Sequence, residues 1–143
     1  MKNNLFLMTI IGLLIVSSGF MSCSKEDNVQ KGKLSGSIWE FQESHSSSVG
    51  AYEYTYTFKF TSDKAGILTK SGWYQTINAA TWTMGPKQNV DDSQNLTYIY
   101  APELQQGVIT TTNKSILTKG DHIFSISDNF REMQLGNKTF KLK

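Results

Sequence analysis

Every second residue from Tyr52 to Phe60 is aromatic: Tyr52, Tyr54, Tyr56, Phe58 and Phe60 alternate with Glu53, Thr55, Thr57 and Lys59. Successive side chains of a strand point to opposite faces, so this period of two predicts a strand with one apolar and one wet face. The same alternation recurs along the chain. Residues 61–66 read as a hairpin loop ending in Gly66, and residues 67–76 as the returning strand. Ala80, Trp82 and Met84 mark the inner face of a further strand, stopped by Gly85-Pro86, and polar residues 87–95 read as the longest loop. Leu96, Tyr98 and Tyr100 alternate until Pro102, and residues 108–112 form a Thr-rich strand. His122, Phe124 and Ile126 share a face before Asp128-Asn129 breaks it. Met133 and Leu135 then turn through Gly136-Asn137 into Phe140 and Leu142. With residues 34–43 as the opening strand, the pattern predicts eight to ten short strands.

Sequential short strands joined by tight turns predict an all-β, up-and-down meander of about eight strands that closes as a lipocalin-like barrel, with a β-sandwich as the alternative. No stretch after residue 33 carries a helical period. Composition agrees: eleven glycines, two prolines and many Thr, Ser, Tyr and Phe suit a pleated, half-buried surface.

The first 22 residues follow a different logic. Lys2 precedes an apolar run over residues 5–16, and small residues Ser17, Ser18 and Gly19 follow. That order is the layout of a secretory signal peptide. The run is too short to span a bilayer, which takes about 20 apolar residues. Cys23 is the only cysteine, so it has no intrachain disulfide partner. The stretch Gly19-Phe20-Met21-Ser22-Cys23 resembles the lipobox of bacterial lipoproteins, which implies lipidation of Cys23 and cleavage before it. Two or more acyl chains on one residue give stable membrane anchoring. Ser24-Lys25-Glu26-Asp27-Asn28 resembles the export signal of Bacteroidetes lipoproteins. It implies an address on the outer membrane, at the cell surface, with the periplasmic face as the alternative. The expected organisation is therefore a signal peptide over 1–22, a lipidated cysteine and flexible tether over 23–33, and a β domain over 34–143.

The head of that domain, Leu34-Ser35-Gly36-Ser37-Ile38-Trp39-Glu40-Phe41, places a glycine before a tryptophan on the first strand. Together with the Tyr-Tyr-Phe-Phe second strand and the closing Phe140-Lys141-Leu142, it resembles the small lipocalin-like, calycin-type lipoproteins of Bacteroidetes. The resemblance implies a barrel closed at one end by the Trp39 ring and holding an internal site.

Charge and chemistry narrow the functional classes. Fourteen Lys and Arg stand against twelve Asp and Glu, scattered singly, so there is no concentrated basic surface for nucleic acid. A zinc site takes three or four convergent ligands, and the chain has two histidines, His45 and His122. Asp91-Asp92 falls short of the spaced oxygens of a calcium loop. No Gly-x-Ser-x-Gly elbow occurs, and Glu40 and Glu53 read as wet-face residues rather than a catalytic acid pair. The expectation is no catalytic residue, no metal and no cofactor.

Aromatic content is the positive signal: eight Phe, three Trp and six Tyr. In a cup-shaped barrel such rings line a cavity or stack on sugars. Tyr54, Tyr56, Trp73, Tyr74, Trp82 and Tyr98 are the candidate ligand-binding residues; Trp39, Phe58, Phe60, Phe124 and Phe140 are assigned to the core. Adjacent Trp73 and Tyr74 must point to opposite faces. The expected function is a lipid-anchored, non-enzymatic binding domain for a small apolar or glycan ligand. The alternative is a protein-interaction module or enzyme inhibitor at the cell surface.

Overall fold

The structure, a computed structural model, describes residues 32–143; the signal segment, Cys23 and the tether up to residue 31 lie outside the described residues. No helix occurs among the described residues. Nine antiparallel strands follow one another: β1 (Ile38–Ser47), β2 (Gly50–Phe60), β3 (Ala65–Asn78), β4 (Thr83–Met84), β5 (Gln88–Ala101), β6 (Gln106–Thr111), β7 (Gly120–Ile126), β8 (Glu132–Leu135) and β9 (Lys138–Leu142). Each long strand pairs with the next, β3 skips the two-residue β4 to pair with β5, and β9 returns to β1. The result is an eight-stranded up-and-down barrel with β4 appended to β3. Closure pairs the strands on both sides at one end, while residues 41–47 of β1 and 88–96 of β5 are paired on one side only.

Burial follows the alternation. Tyr56, Phe58 and Phe60 of β2, Leu68 of β3, Leu96 and Tyr98 of β5, Ile109 of β6 and Phe124 and Ile126 of β7 point inward. Met133, Leu135 and Phe140 complete that core from β8 and β9. Small barrels fill their interior with side chains, and here the filling is concentrated at one end. There Leu34 and Trp39 are buried, and Trp39 packs edge-on against Phe130 at 5.5 Å. A buried indole N–H needs an acceptor, and Trp39 donates to Ser37 Oγ at 2.8 Å, whose hydroxyl donates on to the Leu34 carbonyl at 2.6 Å. Tyr98 likewise donates to the Ser62 carbonyl at 2.7 Å. At Gly107 an added Cβ would lie 2.3 Å from the Phe124 ring, and its absence lets Tyr100 and Phe124 stack at 5.9 Å. This end is solid.

The other end is open because the strands differ in length. Strands β1, β2, β3 and β5 run for 10, 11, 14 and 14 residues, whereas β6, β7, β8 and β9 have 6, 7, 4 and 5. The four long strands rise past the short ones as a curved apron. Gly72 sits in the middle of it at φ +139°, where an added Cβ would lie 2.0 Å from the Glu53 carbonyl oxygen. Only glycine fits there.

Three expectations need correcting. Residues 87–95 are not a loop: from Gln88 onward they form the first half of β5, with residues 88–95 paired to residues 67–74 of β3. They are polar because the apron is wet on both faces there, except at Gln94, which is buried under the loop between β6 and β7. Ala80, Trp82 and Met84 do not mark an inner face; residues 79–82 turn, β4 has two residues, and Trp82 and Met84 are exposed. The opening strand begins at Ile38 rather than at Leu34, because residues 34–37 form a turn across the closed end, held by Gly36 N–H to the Phe60 carbonyl at 2.7 Å. Ordered contact also begins inside the expected tether: Gly32 lies against Pro102, and Lys33 pairs with Asp63 at 3.6 Å.

Candidate functional site

Cross-strand pairing stacks the apron's inner face in rows. Above the Phe58–Leu68–Gln94 row come Phe41, Tyr56, Lys70 and Asp92, then Glu43, Tyr54, Gly72 and Val90, then His45, Tyr52, Tyr74 and Gln88. Rings run up β2 and cross to β1 at the top: Tyr52 stacks on Tyr54 at 4.9 Å and on His45 at 5.7 Å. Tyr56 meets Tyr54 edge-on at 6.4 Å.

Where the rows meet the solid core, a cleft of about 340 Å³ opens, lined by Tyr56, Phe58, Leu68, Leu117, Leu135 and Phe140, with His122 and Lys138 among its polar groups. Its outer wall is the loop between β6 and β7. Ile116 and Leu117 of that loop pack on the core, and Gln94, 1% exposed, ties the loop down. The Gln94 amide donates to the Asn113 carbonyl at 2.8 Å and to the Leu117 carbonyl at 3.2 Å, and accepts from Leu117 N–H at 2.8 Å. Thr111 Oγ1 donates to the Thr118 carbonyl at 2.6 Å, and a His122 ring nitrogen lies 2.8 Å from the same oxygen. A buried amide that spends both its ends on a loop holds that loop in one place.

Charge enters at the seam between β1 and β9, which share only two residue pairs, Trp39–Leu142 and Glu40–Lys141. Toward the open end the strands part, and the Glu43–Lys138 ion pair at 2.5 Å bridges them above the Phe41–Phe140 contact. Tyr56 donates to the other oxygen of Glu43 at 2.7 Å. Burial opposes charge on Glu43, but the hydrogen bonds from Lys138 and Tyr56, helped by the charges of Lys138 and Lys70, hold its carboxyl below the usual value. Burial first, then the Glu43 carboxylate beside it, pushes the Tyr56 phenol upward, so it stays protonated. Among the described residues no group of three or more His, Cys, Asp or Glu side chains converges as a metal site would require.

Comparison of the chain with protein-family models, curated proteins and solved structures finds no match. The geometry stands on its own.

The six candidate residues do not gather in one place. Tyr56 lines the cleft, Tyr54 stands one row above it, and Tyr74 lies at the top of the same face, its hydroxyl bonded to Gln88. Trp73 points outward, its N–H donating to Glu53 at 3.3 Å and the Lys87 ammonium lying 3.8 Å from its ring centre. Trp82 is 77% exposed on the turn before β4. Tyr98 is sealed in the closed end. The residues that sequence reasoning passed over are Glu43, Lys70, Gln94, Leu117 and Lys138. A signal for two of them was present: Glu43 shares the inward parity of Trp39 and Phe41, and Lys70 that of Gly66 and Leu68. A charge at an inward position of a strand marks a place where the barrel is not filled.

Apolar surface also appears outside the cleft. Val49, Trp82 and Met84 are exposed around the rim, and Ile77 N–H bonds the Val49 carbonyl at 3.2 Å, joining the β1–β2 turn to β3. Ile99, Val108 and Ile123 form a row across the outside of β5, β6 and β7, with Ile99 and Ile123 mostly exposed.

Proposed function

We propose that the protein is a lipid-anchored binding domain, without catalysis of its own, that takes a small apolar ligand into the open end of its barrel at the cell envelope. The observation that carries this reading is the cleft itself. Its volume lies at the lower end of the usual range for ligand sites, roughly 300–1,000 Å³, and its walls are apolar with a few fixed polar groups. Of the two expected ligand classes, the apolar one has the better support. Sugar rings bind by stacking on free aromatic faces, and here Tyr52 is flanked by Tyr54 and His45, while Tyr54 is covered by Tyr52 and Lys70.

The anchor is acylated Cys23, in the outer membrane and facing the cell surface. The described chain begins beside Pro102, at the closed end of the barrel, opposite the cleft. The alternative, a protein-interaction module or enzyme inhibitor, is favoured by the exposed Val49, Trp82 and Met84 cluster on the rim.

Two measurements test the proposal. Amide shifts titrated with octanol should move at Leu117, Leu135 and Phe140 and stay still at the closed end; no movement up to the solubility limit refutes the cleft as a binding site. The mass of the mature N-terminus should show an acylated Cys23. A protein that keeps residues 1–22, or carries a free thiol, removes the anchor.

A further inference from the structure

Among the described residues, Lys70 is a cation of the inner face with no ion pair. Asp92 is its cross-strand neighbour on β5, on the same face, yet no carboxylate among the described residues lies within 4.0 Å of the Lys70 ammonium. The side chain leans the other way, toward β2, and places its nitrogen 3.7 Å from the Tyr54 ring centre and 5.5 Å from that of Tyr56. An ammonium carries three donors, and a ring face attracts the charge without accepting all three. The Lys138 nitrogen lies 4.7 Å from the same Tyr56 ring. Two ammonium groups thus flank the one tyrosine that lines the cleft mouth. Glu43 meets Lys138 by direct contact, whereas the Lys70 ammonium has no carboxylate in contact among the described residues.

Building on the proposed binding role, we infer that the cleft's ligand is an amphiphile with one anionic headgroup, a medium-chain carboxylate, whose tail lies against Leu68, Leu117 and Leu135 and whose carboxylate is held by Lys70, which stands one row above Leu68 beside Tyr56. Size agrees with a chain of modest length: at the ~30 Å³ that a water-sized group occupies, the cleft has room for about eleven such groups. The placement also agrees with charge-assisted bonding, which is strongest where low-dielectric walls adjoin the cation. Tyr56 does not compete for the headgroup, since its hydroxyl proton is committed to Glu43.

The test compares octanoate with octanol, binding each to wild-type protein and to Lys70→Gln, by calorimetry or amide shifts at low salt. The expected result is octanoate binding at least ten-fold tighter than octanol, a preference that shrinks with added salt and vanishes in the variant, while octanol affinity is unchanged. Equal affinity for the two ligands in the wild type overturns the anionic headgroup but leaves the apolar site standing. Binding of neither ligand refutes the site itself. If the preference for octanoate persists in Lys70→Gln, then Lys70 is not the headgroup partner. A loss of octanol affinity as well would mean that the substitution has reshaped the cleft; Lys70→Arg then decides, because it must keep the octanoate preference if charge is the cause.

Discussion

Replacing Gln94 with Leu separates the contribution of the loop tether from that of the core. Leu matches the buried aliphatic part of Gln and removes the amide, so the loop between β6 and β7 loses two bonds to carbonyls, Asn113 and Leu117, and one from the Leu117 N–H. A neutral hydrogen bond contributes about 0.5–1.5 kcal/mol net, so the three together are worth about 3 kcal/mol. The added apolar burial of Leu offsets on the order of 1 kcal/mol of that. The net loss is about 2 kcal/mol, a sizeable share of the 5–15 kcal/mol typical of a domain. Urea melts at fixed pH should show the midpoint falling by roughly 1 M, at a slope near 2 kcal/mol/M. Hydrogen exchange adds a local readout: the Leu117 amide should lose its protection while the Phe124 and Met133 amides keep theirs relative to global stability. If stability changes by less than about 0.5 kcal/mol and the Leu117 amide stays protected, Gln94 is not what holds the loop, and the account of the outer wall is wrong.

Other outcomes follow from single observations. Gly72→Ala should cost about 3 kcal/mol or more, because its Cβ would meet the Glu53 carbonyl at 2.0 Å at a φ that L-residues rarely adopt; a near-neutral melt would refute the close backbone approach at Gly72. The Glu43 carboxyl sits below its ordinary value of 4.5 in the folded protein, so the folded state binds fewer protons there than the unfolded chain. Its contribution is therefore present above that ordinary value and disappears as pH falls through the lower, folded one. The urea midpoint of Glu43→Gln should depend less on pH across that acid window, and parallel curves for the two proteins would count against the ion pair. Trp39 is fully buried and Trp82 mostly exposed, so Trp82→Phe should remove much of the iodide-quenchable emission. Unchanged quenching would mean that the Trp82 turn is folded onto the protein.

Legibility tracked burial. The alternating rings of β2 and the Met133-to-Leu142 hairpin were readable because each faces protein on one side and water on the other, which is the condition under which a period of two is written into a strand. Residues 88–93 meet water on both sides of the apron, so no apolar partner imposes a period, and the segment resembles a loop in composition although it is paired along β3. The tetrapeptide Ile-Leu-Thr-Lys makes the same point from another direction. At residues 67–70 it is part of β3, and at residues 116–119 it belongs to the loop over the cleft. Four residues with equal local preference take two conformations because their partners differ: a ladder on both sides in the first case, the side chains of Gln94, Thr111 and His122 in the second.

The candidate site was less legible for a reason that also explains its chemistry. Aromatic count pointed to tyrosines and tryptophans, but a ring in this barrel can serve three ends: filling the closed end as Tyr98 does, covering a neighbouring ring as Tyr52 and Tyr54 do, or lining the cleft as Tyr56 does. Ring identity does not distinguish among them; position along the barrel axis does, and that depends on where β6 to β9 stop. Once the short strands end, inward positions of the long strands are no longer fully buried and begin to carry Glu43 and Lys70. The boundary between apolar and charged inward residues is therefore the floor of the cleft. An amphiphile laid across that boundary meets hydrocarbon below and an ammonium above, the same division that the strand lengths impose on the protein itself.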